Sequence, residues 1–309
     1  MSESDKRLAQ LLSEELARYK SIYVPVKSSL LRRALVRKVR CKKLHPNPND
    51  EFCLPEVGPN YAIISKYEQQ FLSPKTVGYT GGIKYSEDDE ALTIERIRPD
   101  GYMILNGHHR WAAAILYHLR SVPIEIVDLP SEAEVRKMYR GAKHDRLVAF
   151  DLDEVVFSSS EDPDALEKPL RFPLNRIYRQ RLRLGIPALF HFLRNKGYDI
   201  WVYSSNYYST EYIRDLFRHY HVQLTGIVTG TERKKLDSAQ KKEQLRQEFR
   251  DVYTVILHAD KNTLLRVNSR THAYEEFPLP EGEHWSGEIM KIILAISQQE
   301  KTDGEPPVT

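Results

Sequence analysis

The residues best suited to chemistry are Asp151 and Asp153, which follow the apolar run Val148-Ala149-Phe150 with one leucine between them. A buried strand ending there delivers two carboxylates to its tip. A period of two puts both on one face, which suits one divalent cation and one phosphoryl group. One carboxylate can attack phosphorus while the other handles the proton. Asp-x-Asp alone is common, so the pair carries weight only if later segments supply the rest of such a site. They follow in order: Ser204, Ser205 and Asn206 after Trp201-Val202-Tyr203, then Lys234 and Lys235, then Asp260 after Val255-Ile256-Leu257-His258-Ala259. A hydroxyl can hydrogen-bond a phosphoryl oxygen, and a lysine can offset its charge. Asp260 can complete an oxygen-only magnesium site with Asp151 and Asp153.

A second candidate is Asn106-Gly107-His108-His109-Arg110, which reads as a sharp corner between a strand and a helix. Free backbone N–H groups at that helix start, with the dipole behind them, favour an anion. Arg110 can add a bidentate clamp, and His108 or His109 a further donor, so a nucleotide or other phospho-ligand suits the corner.

Positioning the acidic set requires an open, mainly parallel sheet, whose ligands gather at the carboxyl ends of the strands. Strands are predicted at 147–150, 199–203, 226–229 and 254–258, alternating with helices near 187–196, 209–220, 238–249 and 286–297. The polar tail 298–309 is predicted to be disordered. Ahead of this, a helix is predicted over 3–19, a half-exposed strand over 35–43 and an irregular stretch over 49–90, punctuated by Pro55, Pro59, Pro74 and Gly81-Gly82. Strands at 93–97 and 102–105, a helix at 109–119 and a strand at 123–127 then frame the corner. A charged helix at 131–139 and a linker at 141–146 lead into the second half.

A chain of 309 residues suits two domains. With 46 basic and 43 acidic side chains, the formal charge of +3 provides no global field that would predict nucleic-acid binding. The one dense basic run, Arg32, Arg33, Arg37, Lys38, Arg40, Lys42 and Lys43, reads as a solvated strand face before it reads as contact with a phosphate-bearing partner. Two cysteines, Cys41 and Cys53, are too few for a disulfide framework or a zinc ribbon. No secretory leader and no run of about 18 apolar residues is apparent, so a cytoplasmic protein without a membrane partner is expected.

From residue 145 to 297 the order carboxylate pair, hydroxyl, lysine, carboxylate resembles the haloacid dehalogenase-like superfamily of phosphatases and phosphotransferases. The resemblance implies a Rossmann-like parallel sheet with Asp151 as the nucleophile that becomes an aspartyl phosphate, and Asp153 as general acid and then base. It further implies Ser204 as the phosphate-binding hydroxyl, Lys234 or Lys235 as the lysine, and Asp151, Asp153 and Asp260 around Mg2+. The family's last motif usually has two acids; here Lys261 and Asn262 follow Asp260. The stretch 154–198 leaves little room for a cap, and 198–217 is similar to the lidless phosphoprotein and polynucleotide phosphatases, which implies a bulky or macromolecular phosphorylated substrate.

Residues 35–128 resemble the ParB and sulfiredoxin fold. The resemblance rests on Asn106-Gly107-His108-His109-Arg110, on Leu44-His45-Pro46-Asn47-Pro48 and on the closing Val122-Pro123-Ile124-Glu125-Ile126-Val127. The version here looks closest to the free serine kinases of that fold, which implies ATP or another nucleotide at Asn106 to Arg110 and a glutamate base, for which Glu51 is the nearest counterpart. The expected architecture is therefore α/β: a helical extension (1–34), a small α+β ParB/sulfiredoxin-like domain (35–140), a haloacid dehalogenase-like domain (145–297) and a tail (298–309). The expected activity is a magnesium-dependent phosphohydrolase or phosphotransferase coupled to a nucleotide-binding or kinase-like domain. The alternative is a nucleotide-sensing or nucleic-acid-associated binding protein whose hydrolase domain has degenerated.

Overall fold

A computed structural model of the chain describes residues 3–19, 23–72, 77–80, 83–86, 91–158, 163–230, 251–271, 273–280 and 285–304. The fold is mixed α/β. It divides between Leu129 and Pro130 into two compact units, each with its own six-stranded sheet of parallel and antiparallel pairs.

In the first unit, helix α1 (Glu3–Tyr19) turns Leu8 and Leu12 into the core, and Glu15 Oε2 meets His45 Nδ1 at 2.7 Å. Residues 1–34, set apart by the sequence as an extension, thus contribute to this unit's own packing. Strand β1 (Val24–Pro25) is followed by α2 (Leu30–Leu35), capped by the Ser29 hydroxyl and anchored where Arg33 pairs with the buried Asp128 at 3.0 Å. The strand predicted over 35–43 breaks up into β2 (Lys38–Arg40), a 3-10 turn (Cys41–Lys43) and β3 (Leu44–His45). Only Val39 and Cys41 are buried before Leu44, so the alternation extends over too few core contacts to hold one strand.

The stretch predicted to be irregular contains α3 (Tyr61–Leu72), whose first turn donates to Asn60 Oδ1, and a hairpin of β4 (Val77–Thr80) and β5 (Ile83–Ser86). Strands β6 (Leu92–Arg98) and β7 (Tyr102–Asn106), helix α4 (His108–Leu116) and β8 (Ser121–Ile126) follow. Sheet order is β2-β8-β6-β7-β3, with β1 also pairing β6. Trp111 and the run Ala112-Ala113-Ala114 are buried, letting α4 lie close to the sheet.

The second unit opens with α5 (Glu132–Arg140), whose N-terminus is closed by a reciprocal Ser131–Glu134 capping box. Its Tyr139 ring stacks on Trp201 at 4.6 Å. This helix, read from the sequence as the join between domains, accordingly groups with the second unit. The sheet contains β9 (Arg146–Asp151), β10 (Tyr198–Tyr203), β11 (Gly226–Val228), β12 (Val255–Ala259), β13 (Thr263–Asn268) and β14 (Tyr274–Pro278), in the order β11-β10-β9-β12-β13-β14. The first four strands are parallel; β13 and β14 extend the sheet antiparallel, a pair the sequence did not predict.

Among the described residues, helices α6 (Leu174–Ile177), α7 (Ile186–Asn195), α8 (Thr210–His219) and α9 (Trp285–Gly304) complete the unit. Val148, Phe150, Ile200, Val202 and Leu257 face α7 to α9, while Leu147, Ala149 and Trp201 form a second core on the opposite face. Burial on both faces is why these strands read as continuous apolar runs. The tail predicted to be disordered from 298 continues as helix to Gly304. The helix predicted at 238–249, with Lys234 and Lys235, lies outside the described residues.

Candidate active site

Parallel pairing sets the site at one end of the second sheet. Tyr203 is in register with Asp151, and Ala259 with Phe150, so Ser204 and Asp260 leave the two strands flanking β9 next to the Asp151 tip. The strand itself stops at Asp151. Residues Leu152–Val156 form a single π-type turn whose N-cap is the Asp151 side chain: its Oδ1 accepts the backbone N–H of Asp153 at 2.7 Å and of Glu154 at 2.9 Å.

Asp153 is therefore not on the strand, and the same-face argument from period two does not describe it. The turn sends its carboxylate toward the end of β10. There Oδ2 accepts from Ser204 Oγ at 2.5 Å and Oδ1 from the Tyr208 phenol at 2.8 Å. Ser204 is fully buried, its oxygen also accepting the Asn206 N–H at 2.9 Å. Tyr208 is steadied by an edge-on contact with Phe157 and by Thr229 Oγ1, which donates to the Tyr208 carbonyl at 2.6 Å. Tyr208 was missed by sequence reading. Its signal was the Tyr207-Tyr208 pair closing the loop after a strand tip, which reads equally well as core.

Electrostatics place Asp260 in the same neighbourhood. The Tyr203 phenol is pushed up to about 12, first by burial and then by the charges of Asp151, Asp260 and Glu154. One side chain thus senses the acids of β9, the π turn and β12 together. Asp260 is itself oriented, Oδ1 accepting the Lys261 N–H at 2.6 Å, and the Lys261 carbonyl accepts the Trp285 indole N–H at 2.9 Å.

The expected metal set is Asp151, Asp153 and Asp260. Among the described residues no group of three or more His, Cys, Asp or Glu is arranged to hold a metal ion. Asp153 accepts one hydrogen bond on each oxygen, from Ser204 and from Tyr208. Asp151 and Asp260 remain as hard oxygen donors, and magnesium is commonly held by one or two carboxylates with water completing its shell.

The corner in the first unit has the expected backbone. Gly107 is left-handed at φ 97°, no side chain caps the helix after it, and an added Cβ would sit 2.4 Å from Leu92 Cδ2. Its histidines each accept a backbone N–H. Nε2 of His108 accepts the Asn47 N–H at 3.1 Å, and Nε2 of His109 accepts the Asn60 N–H at 3.1 Å. They fasten the loop after β3 onto α4 through their lone pairs and do not offer Nε2–H to an anion.

Burial pushes His108 down to about 4, against the opposing pull of Asp50, and burial lowers His109 as well. Phe52 stacks on His108 and meets His109 edge-on. Arg110 is buried with its guanidinium 4.8 Å from the Tyr67 ring centroid. Asn106 is exposed at the end of β7. Glu51, the predicted base, is exposed in a 3-10 turn; the acid facing the histidines is Asp50, 3.5 Å from His108 Nδ1.

No helix among the described residues is long and apolar enough to cross a membrane. No family model matches the chain, no curated protein matches it and no solved structure matches it.

Proposed function

We propose that the second unit is a phosphohydrolase or phosphotransferase of the haloacid dehalogenase type, acting through an aspartyl phosphate on Asp151. The observation that carries this reading is the arrival of Asp151, Asp153, Ser204 and Asp260 at the carboxyl ends of three adjacent parallel strands. Asp151 has one oxygen fixed by two backbone N–H groups, which aims the other for in-line attack. The P–O bond to the leaving group breaks as the Asp151–phosphorus bond forms, and Asp153, entering the step with a proton on Oδ2, gives it to the leaving oxygen. Asp153 then takes a proton from the water that hydrolyses the acyl phosphate.

The Ser204–Asp153 bond acquires a role in this sequence. A phosphoryl oxygen accepting from Ser204 draws the hydroxyl off Asp153 Oδ2, and so releases that oxygen for proton transfer as substrate arrives. Asp151 and Asp260 would hold Mg2+, which would offset phosphoryl charge when bound.

The first unit, in the same proposal, is a ParB/sulfiredoxin-like nucleotide-binding or serine-kinase-like module with its anion site at Asn106 to Arg110. The uncapped start of α4 behind Gly107 supports this. Both His Nε2 atoms act as acceptors, which leaves the backbone N–H groups, Arg110 and the ring Nδ1–H groups as the donors of the corner. The second reading, a binding protein with a silenced hydrolase, is favoured by the single acid at the last motif and the absence of a three-ligand cluster among the described residues. Phosphate release from p-nitrophenyl phosphate by the full chain separates the two. The enzyme reading expects magnesium-dependent turnover that falls about 1,000-fold in Asp151→Asn. Turnover unchanged by that substitution overturns Asp151 as the nucleophile, and no turnover in the wild type favours the second reading.

A further inference from the structure

At the far end of β7 from Gly107, the β6–β7 turn borders a cleft of ≈ 330 Å³ lined by Arg32, Lys43, Arg96, Arg98, Asp100 and Tyr102 among others. The four cations come from three separated segments, and local structure explains how each reaches it. Arg96 and Arg98 alternate with the buried Ile97, so both project from the same face of β6. Arg32 reaches over from α2, with Nη1 donating to the Tyr102 hydroxyl at 3.3 Å. Lys43 is drawn in by Gly101, at φ 79°, where an added Cβ would lie 2.4 Å from the Lys43 carbonyl oxygen.

Such a cluster is costly without an anion. Asp100 is the one carboxylate in the lining, and among the described residues none of the four cations has an ion pair. Elsewhere in the same unit an arginine that stabilises the fold is paired, as Arg33 is with Asp128. Like charges sharing one cleft repel. A cleft built from three guanidinium groups and an ammonium group matches the geometry and charge of phosphate oxygens.

We propose that this cleft is a second phosphoryl-binding site, distinct from the Gly107 corner. Strand β7 runs from one to the other, which at about 3.3 Å per residue separates them by roughly 15 Å. The site does not depend on the chemistry assigned to the second unit. Its phosphoryl group comes either from a free anion such as pyrophosphate or from the phosphodiester backbone of a nucleic acid.

The test is arginine modification of the full chain by phenylglyoxal, read residue by residue by mass spectrometry. Pyrophosphate is expected to protect Arg96 and Arg98 and to leave the exposed Arg37 reactive, while sodium chloride at equal ionic strength protects neither. Protection by single-stranded oligothymidylate without protection by pyrophosphate assigns the phosphate to a polynucleotide chain. The exposed Arg98→Gln variant is expected to weaken the protecting anion about tenfold. The proposal is overturned if Arg96 and Arg98 react at the same rate with and without both anions, if chloride protects them equally, or if Arg98→Gln binds as the wild type does.

Discussion

Tyr208 holds Asp153 from the side opposite Ser204, its phenol donating to Oδ1 at 2.8 Å while Ser204 donates to Oδ2. The two donors differ in what can displace them. Under the phosphatase reading a phosphoryl oxygen competes for the Ser204 hydroxyl, whereas the Tyr208 backbone is fastened by Thr229 and its ring by Phe157.

Tyr208→Phe keeps the ring and removes the donor. Under the phosphatase reading kcat is expected to fall about tenfold with KM little changed, because the phenol orients Asp153 without touching substrate. Stability is expected to change by about 1 kcal/mol or less. Steady-state kinetics with a denaturant titration measure both.

Asp260→Asn removes one of the charges acting on Tyr203. With a negative neighbour gone, the Tyr203 phenol titrates below its present value of about 12. Ultraviolet titration of tyrosinate, with Tyr203→Phe identifying the band, reads this without any assay of turnover. An unmoved midpoint would place Asp260 away from the cluster.

Gly107→Ala forces a left-handed residue with a side chain against the fully buried Leu92. A loss of about 1–3 kcal/mol is expected from the backbone alone, with more from the overlap. Chemical denaturation provides the figure.

His108 links stability to pH. Its native pKa is depressed from 6.5 to about 4, so between those values the unfolded chain binds more protons than the folded one. Stability from this residue is present above pH 6.5 and is lost as pH falls toward 4, by roughly 3 kcal/mol in all. In His108→Gln the slope of stability against pH over that window is expected to flatten.

Asp199 lies on the second core and is almost fully buried. It accepts from His144 Nδ1 at 2.9 Å, from the Lys143 N–H at 2.9 Å and from the Tyr253 phenol at 3.2 Å. Asp199→Ala leaves these donors facing one another across a void. A loss of about 2–4 kcal/mol in a denaturant titration is expected.

What was legible in the sequence tracks how local its cause is. Val148 to Phe150 and Val255 to Leu257 declare themselves because a strand buried on both faces has no polar positions to confuse the pattern. Strands β13 and β14 were hidden because Arg266, Glu275 and Glu276 put charge where a strand signal is sought, and their Arg266–Glu275 pairing exists only across the hairpin. Helix α3 was hidden among prolines and glycines that mark its ends and not its interior.

At the candidate sites the types of residue were legible and their partners were not. Nothing near Asp153 announces a π turn. Nothing near His108 and His109 announces that Asn47 and Asn60, far back in the chain, will present N–H groups to them.

The register of β9 has a temporal consequence. Its partners on either side begin 52 and 109 positions later, at Tyr198 and Val255. A chain emerging from the ribosome therefore exposes the Asp151 tip long before β12 exists to deliver Asp260 beside it. High contact order of this kind delays assembly. The constellation cannot be completed before β12 has been synthesised, and a polypeptide cut before residue 260 would contain the acidic pair without Asp260.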